Sequence, residues 1–120
     1  RNTEHRRRFG EYPEEVEHLF ATVELKILAR QLGFVKVELR EHRMLLEFPP
    51  NDATWFFGNG DGEDASAPFQ ALMAKTQHLQ PYKPQLKQDG KRLRLQVVLQ
   101  HDTVSPDFLK SARNFLEALY

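Results

Sequence analysis

The 120-residue chain predicts an α+β fold of antiparallel β-hairpins packed against amphipathic helices, in the order α-β-β-α-β-β-α. Three observations carry that prediction. A helical apolar repeat runs from Pro13 to Gly33, with a start signal at one end and a stop signal at the other. Two segments, around residues 35–48 and 85–100, then change to the period of two that marks strands. In the second, Asp89-Gly90 is a strong two-residue hairpin signal. Links this short join antiparallel neighbours, and alternation leaves one sheet face wet, so three helices are expected on the other.

Each element has its own reason. Residues 1–12 are polar and read as an entry segment that docks through Phe9 and Tyr12, ahead of one domain over 13–120. Pro13 suits a first helical position, where its missing N–H is not needed, and Glu14, Glu15 and Glu17 place negative charge at the positive end of the helix dipole. Val16, Leu19, Phe20, Val23, Ile27 and Leu28 share a helical face and are expected to be buried; on that basis Phe20→Ala removes about 3–5 kcal/mol. Gly33 is expected to end this helix in a left-handed conformation.

Val35, Val37 and Leu39 then alternate with Lys36, Glu38 and Arg40. A turn at Glu41-His42 leads to a return strand from Met44 to Phe48, which Pro49-Pro50 stop. Residues 51–64 are irregular, with Trp55-Phe56-Phe57 ahead of a glycine-rich stretch. The aromatic run reads as packing beneath a loop, with an exposed partner anchor as the alternative. Asp64 or Ser66 is expected to cap the next helix, with Pro68 in its first turn and Phe69, Leu72, Met73, Thr76 and Leu79 on its apolar face. Pro81 and Pro84 end it. A strand at Gln85–Gln88 pairs with one at Lys91–Gln100, whose Leu93, Leu95, Val97 and Leu99 face one way. Ser105-Pro106-Asp107 starts the last helix, which buries Phe108, Leu109, Ala112, Phe115, Leu116 and Leu119.

Composition narrows the function. A chain of this length buries about two-thirds of its unfolded surface, enough for a real core. Lys+Arg and Asp+Glu balance at 17 each, so no strong overall field draws the chain to phosphate. With no cysteine there is no disulfide, thiolate metal site or cysteine nucleophile. No apolar run approaches the roughly 18–20 residues that span a bilayer, and no signal-peptide pattern opens the chain. Arg1 in place of an initiating Met reads as a piece of a longer polypeptide.

Catalytic patterns are weak. The histidines at 5, 18, 42, 78 and 101 lack the spacing of metal ligands. His101-Asp102 near Ser105 imitates a triad, but neighbours in a strand point to opposite faces, and a strand end followed by a helix cap is the better reading. Asn59 to Asp64 lacks the ligand spacing and closing Glu of a Ca²⁺ loop. Arg6-Arg7-Arg8 reads as a solvated charge run; together with Lys91, Arg92 and Arg94 it also supports a second reading, a small nucleic-acid-binding module.

One resemblance goes further. Glu4, Arg8, Phe9, Gly10, Tyr12 and Pro13, followed by Leu28, Ala29, Leu32, Gly33 and Phe34, resemble the E-x-x-D-R-F-G-x-[hydrophobic]-P and L-A-x-x-L-G motifs in the C-terminal domain of the transcription-repair coupling factor (Mfd) family. The resemblance implies a parent protein that is an ATP-dependent DNA translocase of the bacterial cytoplasm, which removes stalled RNA polymerase and recruits nucleotide excision repair. Residues 1–12 would then lead in from the preceding motor domain. The domain itself would be non-catalytic and hold no cofactor or metal, with ATP and Mg bound in the parent motor. Its implied role is autoinhibitory: it masks the UvrA-binding surface of the N-terminal UvrB-like module of the same chain. The interdomain contact residues carried over are Glu4, Arg7 and Arg8. Arg7 stands where the family has Asp, which reverses one charge of that contact.

Overall fold

In this computed structural model the described residues are 14–59, 66–100 and 105–120. Helix α1 (Glu14–Gln31) leads into the hairpin β1 (Lys36–Arg40) and β2 (Arg43–Glu47). A one-turn helix, α2 (Thr54–Phe57), precedes α3 (Pro68–Thr76), and a 3₁₀ turn at Gln80–Tyr82 follows it. The hairpin β3 (Gln85–Asp89) and β4 (Arg92–Val98) then leads to α4 (Pro106–Leu119). The fold is α+β, as the sequence predicts, with α2 as an added element.

The two hairpins form one antiparallel sheet of order β1-β2-β4-β3. β2 and β4 join them in the middle, with Met44 opposite Val97 and Leu46 opposite Leu95. Alternation puts Val37, Leu39, Met44, Leu46, Leu95 and Val97 on one face. The helices cover that face: α1 lies against β1 and α4, α4 against α3, and α3 against α2. Lys36, Glu38, Arg40, Arg43, Glu47, Arg92 and Arg94 fall on the open face.

Helix α1 ends as its sequence requires. Gly33 has φ +109° and donates its N–H to the Arg30 carbonyl at 3.0 Å, while Phe34 donates to the Ala29 carbonyl at 3.0 Å. These are the two bonds of a Schellman motif, and buried Phe34 and Ala29 supply its usual apolar contact. The β1–β2 turn places His42 at φ 65°, and its carbonyl accepts from Leu99 N–H at 2.7 Å, extending the β2–β4 pairing.

The α4 face is buried at all six expected positions. Ser105 caps the helix by accepting the Phe108 N–H at 3.2 Å, with Pro106 in the first turn. At the other end, Lys75 Nζ donates to the carbonyls of Leu119 at 3.1 Å and Tyr120 at 2.8 Å, placing a cation at the negative end of the helix dipole. In α3, Leu72 and Thr76 are buried and Phe69 and Met73 half-buried, on the expected face; Leu79, also half-buried, lies beyond the end of the helix, before the 3₁₀ turn. Its cap differs from expectation: Asp64 lies outside the described residues, and Ala67 takes the N-cap with no side-chain bond, so Pro68 carries the start.

The larger correction concerns α1. The face expected in the core is largely in solvent: Leu19 is 57% exposed, Phe20 50%, Val23 44% and Ile27 53%. Leu25 and Ala29 are buried instead, with Ala21, Leu28 and Leu32 packed partly against the same core. The reason is that α1 carries two apolar sets on different sides, and the sheet lies against the one containing small residues. Ala21 and Ala29 allow a closer approach of the helix to its neighbours than a Phe or Ile would. The several kcal/mol expected for Phe20→Ala therefore does not apply. Thermal unfolding should show that this substitution changes stability by less than about 1 kcal/mol, and a loss of several would contradict the exposed placement.

The aromatic run is divided by one helical turn. Phe56 is fully buried, Phe57 half-buried, and Trp55 63% exposed. Phe56 joins Phe34, Phe48, Phe57 and Phe69 in a cluster centred on Phe48, whose ring centroid lies 5.1 Å from that of Phe34, 5.7 Å from Phe56 and 5.4 Å from Phe69. Tilted and edge-on rings at these separations match the quadrupole preference of aromatic pairs. The packing reading thus holds for Phe56 and Phe57, while Trp55 faces solvent.

Candidate interaction surfaces

Glu4, Arg7 and Arg8, the residues singled out for interdomain contact, lie outside the described residues. So do Arg6, His101, Asp102 and residues 60–65 of the glycine-rich stretch. What the structure adds is the surface presented by the elements that follow them in the chain.

The open sheet face is the first such surface. Strand alternation alone assembles it, because every second residue of β1, β2 and β4 points the same way. Arg92, expected as a phosphate contact, instead binds Glu47 across the strands: its Nε donates to Glu47 Oε1 at 3.1 Å and its Nη2 at 2.7 Å. That hydrogen bond, with the Glu47 charge, raises the Arg92 guanidinium above its ordinary range. Arg94 sits 3.9 Å from both Glu38 and Asp89, and its Nε is buried without a hydrogen-bond partner among the described residues. Arg40 Nε donates to Glu38. This hydrogen bond holds the Glu38 carboxyl below its usual range against the opposing effect of desolvation, and the charges of Arg40, Arg94 and Lys36 act in the same direction. Two of the three residues that the nucleic-acid reading takes from this hairpin are therefore engaged by carboxylates. Lys91, the third, lies exposed beside Gly90 in the β3–β4 turn.

A second surface is the groove of about 750 Å³ between the N-terminal halves of α1 and α4. Ala21 and Leu109 line it, with Glu14, Glu17 and Glu24 on one side and Lys110 and Arg113 on the other. Arg113 reaches Glu24 at 3.7 Å and Glu117 at 3.3 Å, so the two helices share charges across it. Among the described residues, no three His, Asp or Glu side chains converge as metal ligands would. Ser105, the third member of the apparent triad, uses its hydroxyl to cap α4. No helix among the described residues is long and apolar enough to cross a membrane.

The third surface is the one sequence reasoning assigned to the core. Leu19, Phe20, Val23 and Ile27 form an apolar stripe along the outside of α1. Scattered exposed apolar residues are ordinary, but four in line on one helix are a contiguous patch of the kind that marks interaction sites. The signal was present in the sequence as a second apolar set, Leu25 and Ala29 with Ala21 and Leu32, which left the first one without a place inside.

Comparison with known proteins bears on the N-terminal half. Residues 2–56 match the family model of the TRCF domain. No curated protein and no solved structure matches the chain. The family match covers Glu4, Arg7 and Arg8, all of α1, the first hairpin and the chain as far as Phe56.

Proposed function

We propose that this chain, whose residues 2–56 match the family model of the TRCF domain, has a regulatory role without catalysis of its own. The domain docks on the UvrB-like module of the same polypeptide and masks the surface that UvrA must reach. In the parent protein, a motor that uses ATP and Mg to translocate on DNA displaces stalled RNA polymerase and recruits nucleotide excision repair in the bacterial cytoplasm. Engagement of that motor releases the clamp.

The observation that carries this reading is the extent of the family match. It reaches back through the polar segment before α1, where the motif resemblance puts Glu4 at an acidic position and Arg7 at a second one with its charge reversed. A clamp held by a few surface charges is a two-state equilibrium, and a change of about 1.4 kcal/mol at its contact shifts the closed-to-open ratio tenfold. Glu4→Arg in the full-length protein should therefore raise both UvrA binding and basal ATPase activity. Arg7→Asp, which restores the family charge, should lower both. If neither variant departs from wild type in either assay, this contact does not hold the clamp.

A further inference from the structure

We propose that the open face of the sheet is a docking surface for an extended acidic segment of a partner protein, recognised through two carboxylates four residues apart. The proposal starts from an imbalance of charge. The strand register places six cations and three carboxylates on this face, a surplus of three positive charges in a chain whose 17 basic and 17 acidic residues cancel. Two details show that the surplus is held against the stability of the fold. Arg40 lies directly opposite Arg43, and Lys87 directly opposite Arg94. Like charges in such cross-strand pairs are destabilising. Neither Arg43 nor Lys87 has an ion-pair partner among the described residues. Arg94 is under-satisfied as well: Glu38 and Asp89 stand 3.9 Å from it, beyond hydrogen-bond distance, and its buried Nε lacks a partner among the described residues. Its side chain keeps 20% exposure, so an incoming carboxylate can reach the guanidinium.

The arrangement of the charges identifies the occupant. In successive rows across the sheet, the face presents Arg40 and Arg43, then Glu38 beside uncharged Leu45 and Gln96, then Lys36, Glu47, Arg94 and Lys87, and last Arg92 and Asp89. Rows are two residues, about 7 Å, apart, so the cations of the first and third rows stand about 14 Å apart. An extended segment laid along the strands has the same repeat. Its residue i meets Arg40 and Arg43, residue i+2 lies over Leu45 and Gln96, and residue i+4 meets Arg94 and Lys87. Glu47, beside Arg94, is already held by Arg92. A nucleic acid fits this face less well. Its backbone carries charge at every step and would be set against a carboxylate in each of three successive rows, and none of the strand residues on this face is an aromatic on which a base could stack.

The test uses the 120-residue chain and a short synthetic peptide whose two glutamates are four residues apart, with serine and threonine elsewhere. In an NMR titration at low ionic strength, the Nε–H resonances of Arg43 and Arg94 should shift saturably, with a Kd of about 0.1–1 mM. Exchanging both glutamates for glutamine should abolish the shifts, and placing them two residues apart should weaken binding about fivefold. Arg43→Glu and Lys87→Glu should each weaken binding about fivefold or more. Each should also raise the thermal midpoint of unfolding by about 1–5 °C, because an opposite-charge pair replaces a like-charge one. Lys110→Glu, on α4, should leave binding unchanged. The absence of saturable shifts, equal binding at both spacings, an equal loss from Lys110→Glu, or a lowered midpoint for both sheet variants would each overturn the proposal. So would a short DNA duplex that binds more tightly than the peptide through the same resonances, which would assign the face to nucleic acid.

Discussion

Gly33→Ala should destabilise the domain by about 2–5 kcal/mol, a large part of the total stability of a domain this size. Two effects combine at this position. The first is backbone strain: Gly33 holds φ +109°, a region that residues with a Cβ rarely adopt, and the Schellman bonds that end α1 depend on that conformation. The second is space. A Cβ at Gly33 would stand 2.5 Å from Phe56 Cε1 and 2.8 Å from Phe56 Cδ1, well inside contact distance. Phe56 is fully buried within its aromatic cluster, so its ring has little freedom to retreat. Urea denaturation followed by far-ultraviolet circular dichroism measures the total. A double-mutant cycle with Phe56→Ala separates the parts: the steric share, about 1–3 kcal/mol, should vanish when the ring is removed, while the backbone share persists. Strictly additive losses would mean that the close approach of residue 33 to the ring is not felt.

Phe56→Ala alone should lose about 3–5 kcal/mol, the usual range for a fully buried aromatic. This is a large effect from a helix of only four residues, and it arises because the ring occupies the gap above Gly33 and touches the rings of Phe48, Phe57 and Phe69. Its neighbour gives the contrast. Trp55→Ala should change stability by less than about 0.5 kcal/mol, since Trp55 is 63% exposed. Measured side by side, equal losses for the two variants would show that the division of the aromatic run is wrong.

These two residues also show why parts of the molecule were legible in advance. Gly33 could be read because a left-handed helix end has a local cause: no side chain tolerates that backbone as well as glycine. Helix α4 was legible for the same kind of reason, its Ser105 cap, its first-turn Pro106 and a single apolar stripe all agreeing. Phe56 could not be separated from Trp55 and Phe57, because three aromatics in a row carry no period, and only the turn of α2 sends one inward. The cap of α3 was misplaced because an available polar residue was taken for the cap, whereas Pro68 suffices to start that helix.

The candidate site divides in the same way. Glu4, Arg7 and Arg8 rest on a family motif alone and lie outside the described residues, since a short polar segment has no physical signature of its own. The residue-by-residue state of the open sheet face followed from neither motif nor composition. Arg92 and Arg94 lie far in sequence from Glu47 and Glu38, and their pairing depends on the β2–β4 register.

By itself the sequence determined the order of the main elements, both hairpin turns, the C-terminal end of α1 and the buried face of α4, because each depends on residues within a few positions of one another. The tertiary structure decided how the two hairpins join, which carboxylates hold the arginines of the open face, and which side of α1 meets the sheet. That last choice was open because α1 has apolar residues on two sides, and local pattern records only that a side chain avoids water. Packing chose the side with Ala21 and Ala29, where small side chains allow close approach, and left Leu19, Phe20, Val23 and Ile27 facing outward.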